Sequence, residues 1–198
     1  MIKAVIFDCF GVLVGDGFDA TYRYAGGNPE KDHDFIESLL ESANRGQISS
    51  EEFRNGICQQ LGISIEKYNQ AIDKGEQLNQ ELLRYIKDRL RQKYKTAILS
   101  NVSRGGLEKR LSPDILREYF DATVVSGDVG FIKPEPEIYQ LTAEKLGVKL
   151  VECVFVDDRQ PYIVAADALG MKTIHYKNFN QMKSELEMIL AHDPGTDN

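Results

Sequence analysis

Four short segments carry side chains that could do chemistry together. They are Asp8 in Phe7-Asp8-Cys9-Phe10-Gly11, Ser100 and Asn101 after Leu99, Lys133 in Gly130-Phe131-Ile132-Lys133-Pro134, and the pair Asp157-Asp158 after Val156. A carboxylate can attack or ligate a metal, and a hydroxyl and an ammonium can hold an oxyanion. Singly, each has a plain structural use: Asp8, Asp158 or Ser100 would cap a following helix, and Lys133 would be a solvated loop charge. Gathered at one edge of one sheet, they define a site. Three converging carboxylates would then repel by about 4 kcal/mol for each pair at about 4 Å, with an effective dielectric near 20. One lysine does not offset that, whereas a hard divalent cation does. A few carboxylates with room for water and substrate oxygens suit Mg²⁺ better than Ca²⁺. No histidine belongs to the set, so zinc is not expected.

The elements that must position these groups are legible as apolar, β-branched runs at Lys3–Asp8, Lys95–Ser100, Ala122–Ser126, Val151–Asp157 and Lys172–Tyr176. Continuous rather than alternating runs mean strands covered on both faces, hence a parallel sheet in an α/β fold. In such sheets ligands bind outside the carboxyl ends of the strands, where all four segments fall. Between the first two strands lie about 85 residues without a strand, far more than a crossover helix needs. That stretch predicts helices over Asp32–Ala43, Ser49–Leu61 and Ile65–Lys74, then a longer one from Asn79 to Lys93. Ser49 with Glu52 has capping-box spacing, and Gly46 and Gly62 punctuate helix ends. The expected organisation is a core of residues 1–14 and 79–198 with an inserted helical cap of residues 15–78. The tail Ala191–Asn198 is polar and is expected to fray.

Phe7-Asp8-Cys9-Phe10-Gly11-Val12-Leu13, Leu99-Ser100-Asn101, Lys133-Pro134-Glu135-Pro136 and Val156-Asp157-Asp158 together resemble, in order, the four motifs of the haloacid dehalogenase (HAD) superfamily of hydrolases. Arg45-Gly46-Gln47-Ile48-Ser49-Ser50-Glu51-Glu52-Phe53, with Leu61-Gly62-Ile63, is similar to the small helical cap of the branch near the N-terminal phosphatase domain of soluble epoxide hydrolases. The resemblance spans nearly the whole chain. It implies a Rossmann-like sheet of order 5-4-1-2-3 and a Mg²⁺-dependent phosphatase with Asp8 as nucleophile. Ser100, with backbone N–H groups near Asn101, would hold the phosphoryl oxygens, and Lys133 would neutralise the nucleophile and the transferring group. Asp8, the carbonyl of Phe10 and Asp158, with Asp157, would hold the metal. Arg45 and the Tyr22-Arg23-Tyr24 run of the cap are candidate substrate contacts, packing being the commoner use of the tyrosines.

Two departures from the family pattern bear on chemistry. Phosphatases of this family usually carry a second Asp two residues after the nucleophile as acid/base, and here Phe10 stands there. Tyr162 stands four residues after Asp158, where Asn or Asp commonly supports the metal. An aromatic at position 10 is similar to the family's true dehalogenases, which lack the acidic pair. The expectation is therefore a phosphatase for a small phosphorylated metabolite, slowed by the loss at Phe10. The alternatives are a 2-haloacid dehalogenase and a non-catalytic phosphate-binding module. A phosphoacceptor receiver domain uses the same groups but carries its acidic pair on the first strand.

Composition excludes other classes. With 24 Lys plus Arg against 31 Asp plus Glu, the net charge is −7, a poor match for nucleic acid or anionic membranes. No apolar run approaches the ~20 residues of a bilayer span, and cytoplasmic residence is the default expectation. Asp8 interrupts the apolar start, which reads as a buried strand rather than a signal sequence. The three cysteines form no CxxC pair, which argues against a disulfide framework or thiolate zinc site. Gly11, Gly15 and Gly17 match no nucleotide-binding spacing. Cys9 reads as a small buried hydrophobe, the histidines as surface or cap residues, and Arg104, Lys109 and Arg110 as a solvated helix face. The sequence does not set the oligomeric state.

Overall fold

The computed structural model describes residues 1–15 and 17–192. Five strands form one parallel sheet: β1 (Ala4–Phe7), β2 (Lys95–Ser100), β3 (Ala122–Val125), β4 (Cys153–Asp157) and β5 (Lys172–His175), in the order β3-β2-β1-β4-β5. This is the expected α/β, Rossmann-like architecture and strand order. β1 lies at the centre, with Phe7 in register with Ile98 on one side and Val156 on the other. Asp8, Ser100 and Asp157 therefore leave the sheet at nearly one level.

Strand side chains alternate between two cores, which is why the runs are apolar throughout. Val5, Phe7, Ile98, Val154 and Val156 face one core with Leu82, Leu83, Ile86, Met182 and Leu186. The last five come from α5 (Gln80–Tyr85), its continuation and α10 (Phe179–Ala191). Ala4, Ile6, Ala97, Leu99 and Phe155 face the other core, against Ile138, Tyr139 and Ala143 of α8 (Pro136–Leu146) and Ile163 and Ala166 of α9 (Gln160–Ala168). Short helices α6 (Pro113–Tyr119) and α7 (Ser126–Val129) flank β3 in sequence.

Between β1 and α5 lie α1 (Gly17–Tyr24), α2 (His33–Asn44), α3 (Ser50–Leu61) and α4 (Ile65–Gly75). These inserted helices have a hydrophobic cluster of their own around Tyr22, Ile36, Ile57, Tyr68 and Ala71. The Ser49 capping box is formed, with Glu52 N–H donating to Ser49 Oγ at 3.1 Å and Ser49 N–H to the Glu52 carboxylate at 2.7 Å. Gly62 caps α3 at φ 62°, a left-handed conformation that costs glycine little. The insert joins the core through two antiparallel backbone segments, where Gly15 N–H donates to Gln77 O at 2.7 Å and Asn79 N–H to Leu13 O at 2.9 Å.

Three expectations change. The sequence reading passed over α1, although Phe18 and Tyr22, four residues apart, both pack in the insert's cluster. The helix expected over Asn79–Lys93 is α-helical only to Tyr85 and continues as a π-helical turn, Ile86–Leu90. Val151, expected in the fourth strand, sits in a 3₁₀ turn, Leu150–Glu152. Of the tail expected to fray, Ala191 closes α10, while residues 193–198 lie outside the described residues.

Candidate active site

Lys133 is the pivot. It is only 2% exposed, and its Nζ lies 2.8 Å from Asp8 Oδ1 and 2.6 Å from Asp157 Oδ2. The ammonium also sits 4.9 Å from the centroid of the Tyr162 ring and 5.5 Å from that of Phe155. Burial opposes the charge, but contact with Asp8 and Asp157 outweighs it, so the Lys133 ammonium is held above its usual range. Asn101 fixes the lysine's backbone from the end of β2: Lys133 N–H donates to Asn101 Oδ1 at 2.8 Å, and Asn101 Nδ2 donates to Lys133 O at 3.0 Å. The segment after β2 and the loop after α7 are thereby tied together at the residue that meets the Asp8 carboxylate.

Burial pushes the Asp8 carboxyl above the ordinary carboxylate range against the pull of Lys133, and Asp157 and Asp158 add to the rise. Carboxylate oxygens of Asp8, Asp157 and Asp158 lie within 4.8 Å of one another, the convergence expected from sequence. Asp157 is fully buried and its oxygens are engaged, Oδ2 by Lys133 and Oδ1 by the N–H of Arg159 at 2.8 Å. Asp158 differs: its Oδ1 is buried with no hydrogen-bond partner, and burial and then Asp157 raise its pKa. An unpartnered acidic oxygen beside two more carboxylates is a hard-oxygen donor set, and it fits Mg²⁺. Gly11 makes room for it. At φ 86°, a Cβ on Gly11 would stand 2.4 Å from Asp158 Oδ2.

The Ser100 hydroxyl is fully buried and also has no partner. Two orphaned buried polar atoms, one on an acid of the cluster and one at the end of β2, mark a place suited to a ligand, because an unmet buried polar group ordinarily costs about 1–3 kcal/mol. A cavity of about 820 Å³ opens between this edge and the inserted helices, with Asp8, Phe10, Asn101, Lys133 and Asp158 on its floor. From the insert, Phe18, Ile36, Phe53, Arg54 and Tyr68 line it.

Other residues sit differently from their sequence reading. Arg45 is absent from the cavity lining; its guanidinium is held by Glu41 at 3.1 Å and by Glu135, beside the Lys133 loop, at 2.9 Å. Tyr22 takes the packing role, the commoner of its two readings: it is wholly buried and donates to Asp32 at 2.8 Å, so its hydroxyl serves the insert's own structure. Tyr162 braces Lys133 rather than the acidic pair, and its hydroxyl accepts from Arg159 Nη1 at 3.1 Å. Lys109 and Arg110, read as a solvated face, line the cavity. Arg110 lies 5.9 Å from the Phe10 ring centroid and pairs with Glu76, with Nη2 3.3 Å from Oε1. His175, read as a surface or cap residue, touches the site from behind, its Nε2 2.8 Å from the carbonyl oxygen of Asp158. Cys9 is buried as expected, and burial pushes its thiol well up.

A parallel sheet with an aspartate, a serine, a lysine and an acidic pair on its carboxyl edge, beneath inserted helices, belongs to the α/β class of hydrolases. The chain belongs to the haloacid dehalogenase-like hydrolases, whose family model matches residues 2–170. It is 27% identical over 205 residues to a D-ribitol-5-phosphate phosphatase of Bacteroides thetaiotaomicron, covering 96% of this chain and 99% of that protein. It is 31% identical over 180 residues to pyrophosphatase PpaX of Bacillus cereus, covering 87% and 82%. Among solved structures, a HAD family enzyme from Bacteroides thetaiotaomicron in complex with magnesium and inorganic phosphate superposes with a TM-score of 0.72 at 26% identity, over 89% of this chain and 95% of that one. Among the described residues, no helix is long and apolar enough to cross a membrane.

Proposed function

We propose that the chain is a phosphoric monoester hydrolase that passes the phosphoryl group of a small metabolite through an aspartyl-phosphate on Asp8. The observation that carries this is the buried Asp8–Lys133–Asp157 array beside the orphaned Ser100 hydroxyl and Asp158 oxygen. Lys133 engages Oδ1 of Asp8, so Oδ2 is the oxygen available to attack phosphorus. As the P–O ester bond breaks, charge grows on the equatorial oxygens, where the Ser100 hydroxyl and the Lys133 ammonium would donate. A Mg²⁺ held by Asp8, Asp158 and the Phe10 carbonyl would supply Lewis-acid neutralisation of the phosphoryl charge. Asp157, with both oxygens engaged, serves as the partner that keeps Lys133 in place. No carboxylate stands at position 10 to protonate the leaving oxygen or activate water, so poor leaving groups turn over slowly.

The two phosphatase relatives act on a polyol phosphate and on pyrophosphate by name, which supports phosphoryl chemistry. In this reading residues 15–78 are the cap that selects the substrate, and residues 1–14 and 79–198 the catalytic core. The separate hydrophobic cluster and the narrow backbone connection support that division. The test is a screen of phosphorylated metabolites with and without Mg²⁺, with 2-chloropropionate as the dehalogenase control and Asp8→Asn as the nucleophile control. Release of phosphate that needs both Mg²⁺ and Asp8 supports the reading. Metal-independent chloride release replaces it with dehalogenation, and phosphate binding without turnover replaces it with a binding module.

A further inference from the structure

The same cavity has a basic wall, made by Arg54 of α3 together with Lys109 and Arg110 of the segment after β2. Most charge on this side is already answered: Arg110 is paired with Glu76, and Glu30 with Arg23. The remaining lining carboxylates, Asp19, Glu37 and Asp73, are on exposed residues. Arg54 is different, because its Nε is buried without a hydrogen-bond partner and the residue makes no ion pair among the described residues. Lys109 reaches across from the core to the first turn of α3, where its Nζ donates to Ser50 Oγ at 2.6 Å, a neutral partner. Burial, and then the nearness of Arg54 and Arg110, push its pKa down, and the pull of Glu51 from the first turn of α3 does not offset them. A buried guanidinium donor left unmet beside an ammonium is stabilised when something negative completes it.

We infer that Arg54 and Lys109 form an anion subsite, and that the substrate carries a second anionic group, a carboxylate or a second phosphoryl, besides the scissile phosphate. The inference rests on the phosphatase reading and narrows its substrate class. A cavity of about 820 Å³ has room for a short carbon chain between the two groups. One wall of the subsite comes from the insert and the other from the core, so a doubly anionic substrate bridges the two.

The test uses three non-hydrolysable phosphonates of equal length whose far ends carry a hydroxyl, a carboxylate or a second phosphonate. Binding is measured by calorimetry with Mg²⁺ on the wild type, Arg54→Gln and Lys109→Gln. The anionic tails are expected to bind at least about tenfold more tightly than the hydroxyl tail, as charge-assisted contacts do. The larger gain of the two shows which anion the subsite takes. Each substitution should bring that ratio toward one, and so should added salt. If the hydroxyl-tailed phosphonate binds and the anionic tails gain nothing, or their gain survives both substitutions, the subsite is refuted while the phosphatase reading stands. If no phosphonate binds, both fall together.

Discussion

Replacing Lys133 with Met keeps the length of a side chain already packed against the Tyr162 and Phe155 rings and removes only its charge. At contacts of 2.8 and 2.6 Å, the ammonium attracts each carboxylate by about 6 kcal/mol at an effective dielectric of 20, before the cost of burying all three groups is set against it. Without it, Asp8 and Asp157 would face each other with no cation, and breaking a buried pair in this way costs about 3–5 kcal/mol. The loss must depend on pH. Burial already holds the folded Asp8 pKa above its unfolded value, and without the pull of Lys133 the variant raises it further, so its folded state keeps a proton the unfolded chain has released. Stability is then fully present below the unfolded pKa and drains away as pH rises through the folded one, by up to about 1.4 kcal/mol per pH unit for each extra proton held. Urea unfolding of both proteins from pH 5 to 8, in chelator, is expected to show a deficit that widens with pH. A Lys133→Met protein as stable as the wild type at pH 8, or a deficit that is flat with pH, would refute the ion-pair account.

Ser100→Ala removes a buried hydroxyl that has no partner, so the resting protein should be as stable or more stable by about 1 kcal/mol in denaturant titrations, while kcat on phosphate esters falls about 10²–10³-fold. Mg²⁺ at a hundred times its Kd should stabilise the wild type by about 2.7 kcal/mol in thermal unfolding; Asp158→Asn should lose that rise. Phe10→Asp restores a carboxylate on the cavity floor and is expected to speed alkyl phosphate hydrolysis at least tenfold, within the ~10²–10⁴-fold such groups supply, with little effect on aryl phosphates that leave unprotonated. Steady-state rates on the two substrate types check it, and an unchanged ratio would mean that another group already supplies the proton.

The sheet was readable because burial on both faces leaves only apolar residues between Ala4 and Phe7 or between Cys153 and Val156, and the polar residues that follow mark the catalytic edge. The capping box at Ser49 was readable because its contacts are three residues apart. Arg45, Lys109 and Arg110 were misplaced for the opposite reason. Periodicity tells which face of an element a residue occupies, and what meets that face depends on how the insert docks. Nothing local distinguishes Arg45, which meets Glu135 across the chain, from Arg54, whose Nε meets no partner. α1 was obscured by the glycines and short polar residues around its start, and the π turn after Tyr85 by a helical pattern that continues through it.

The backbone connection at Gly15 and Gln77 brings the two ends of the insert within one hydrogen bond of each other. From the sheet's side, the whole stretch between them is a closed loop whose length enters the folding free energy only logarithmically, a doubling adding about 0.6 kcal/mol. Closure at that neck therefore leaves the pairing of β1 and β2 nearly indifferent to the insert's length. What ties the inserted helices to the core beyond it are side chains, Arg45 to Glu135, Lys109 to Ser50 and Arg110 to Glu76, each of which can be exchanged singly. The chamber above Asp8 is thus open to revision one contact at a time while the strands beneath keep their register.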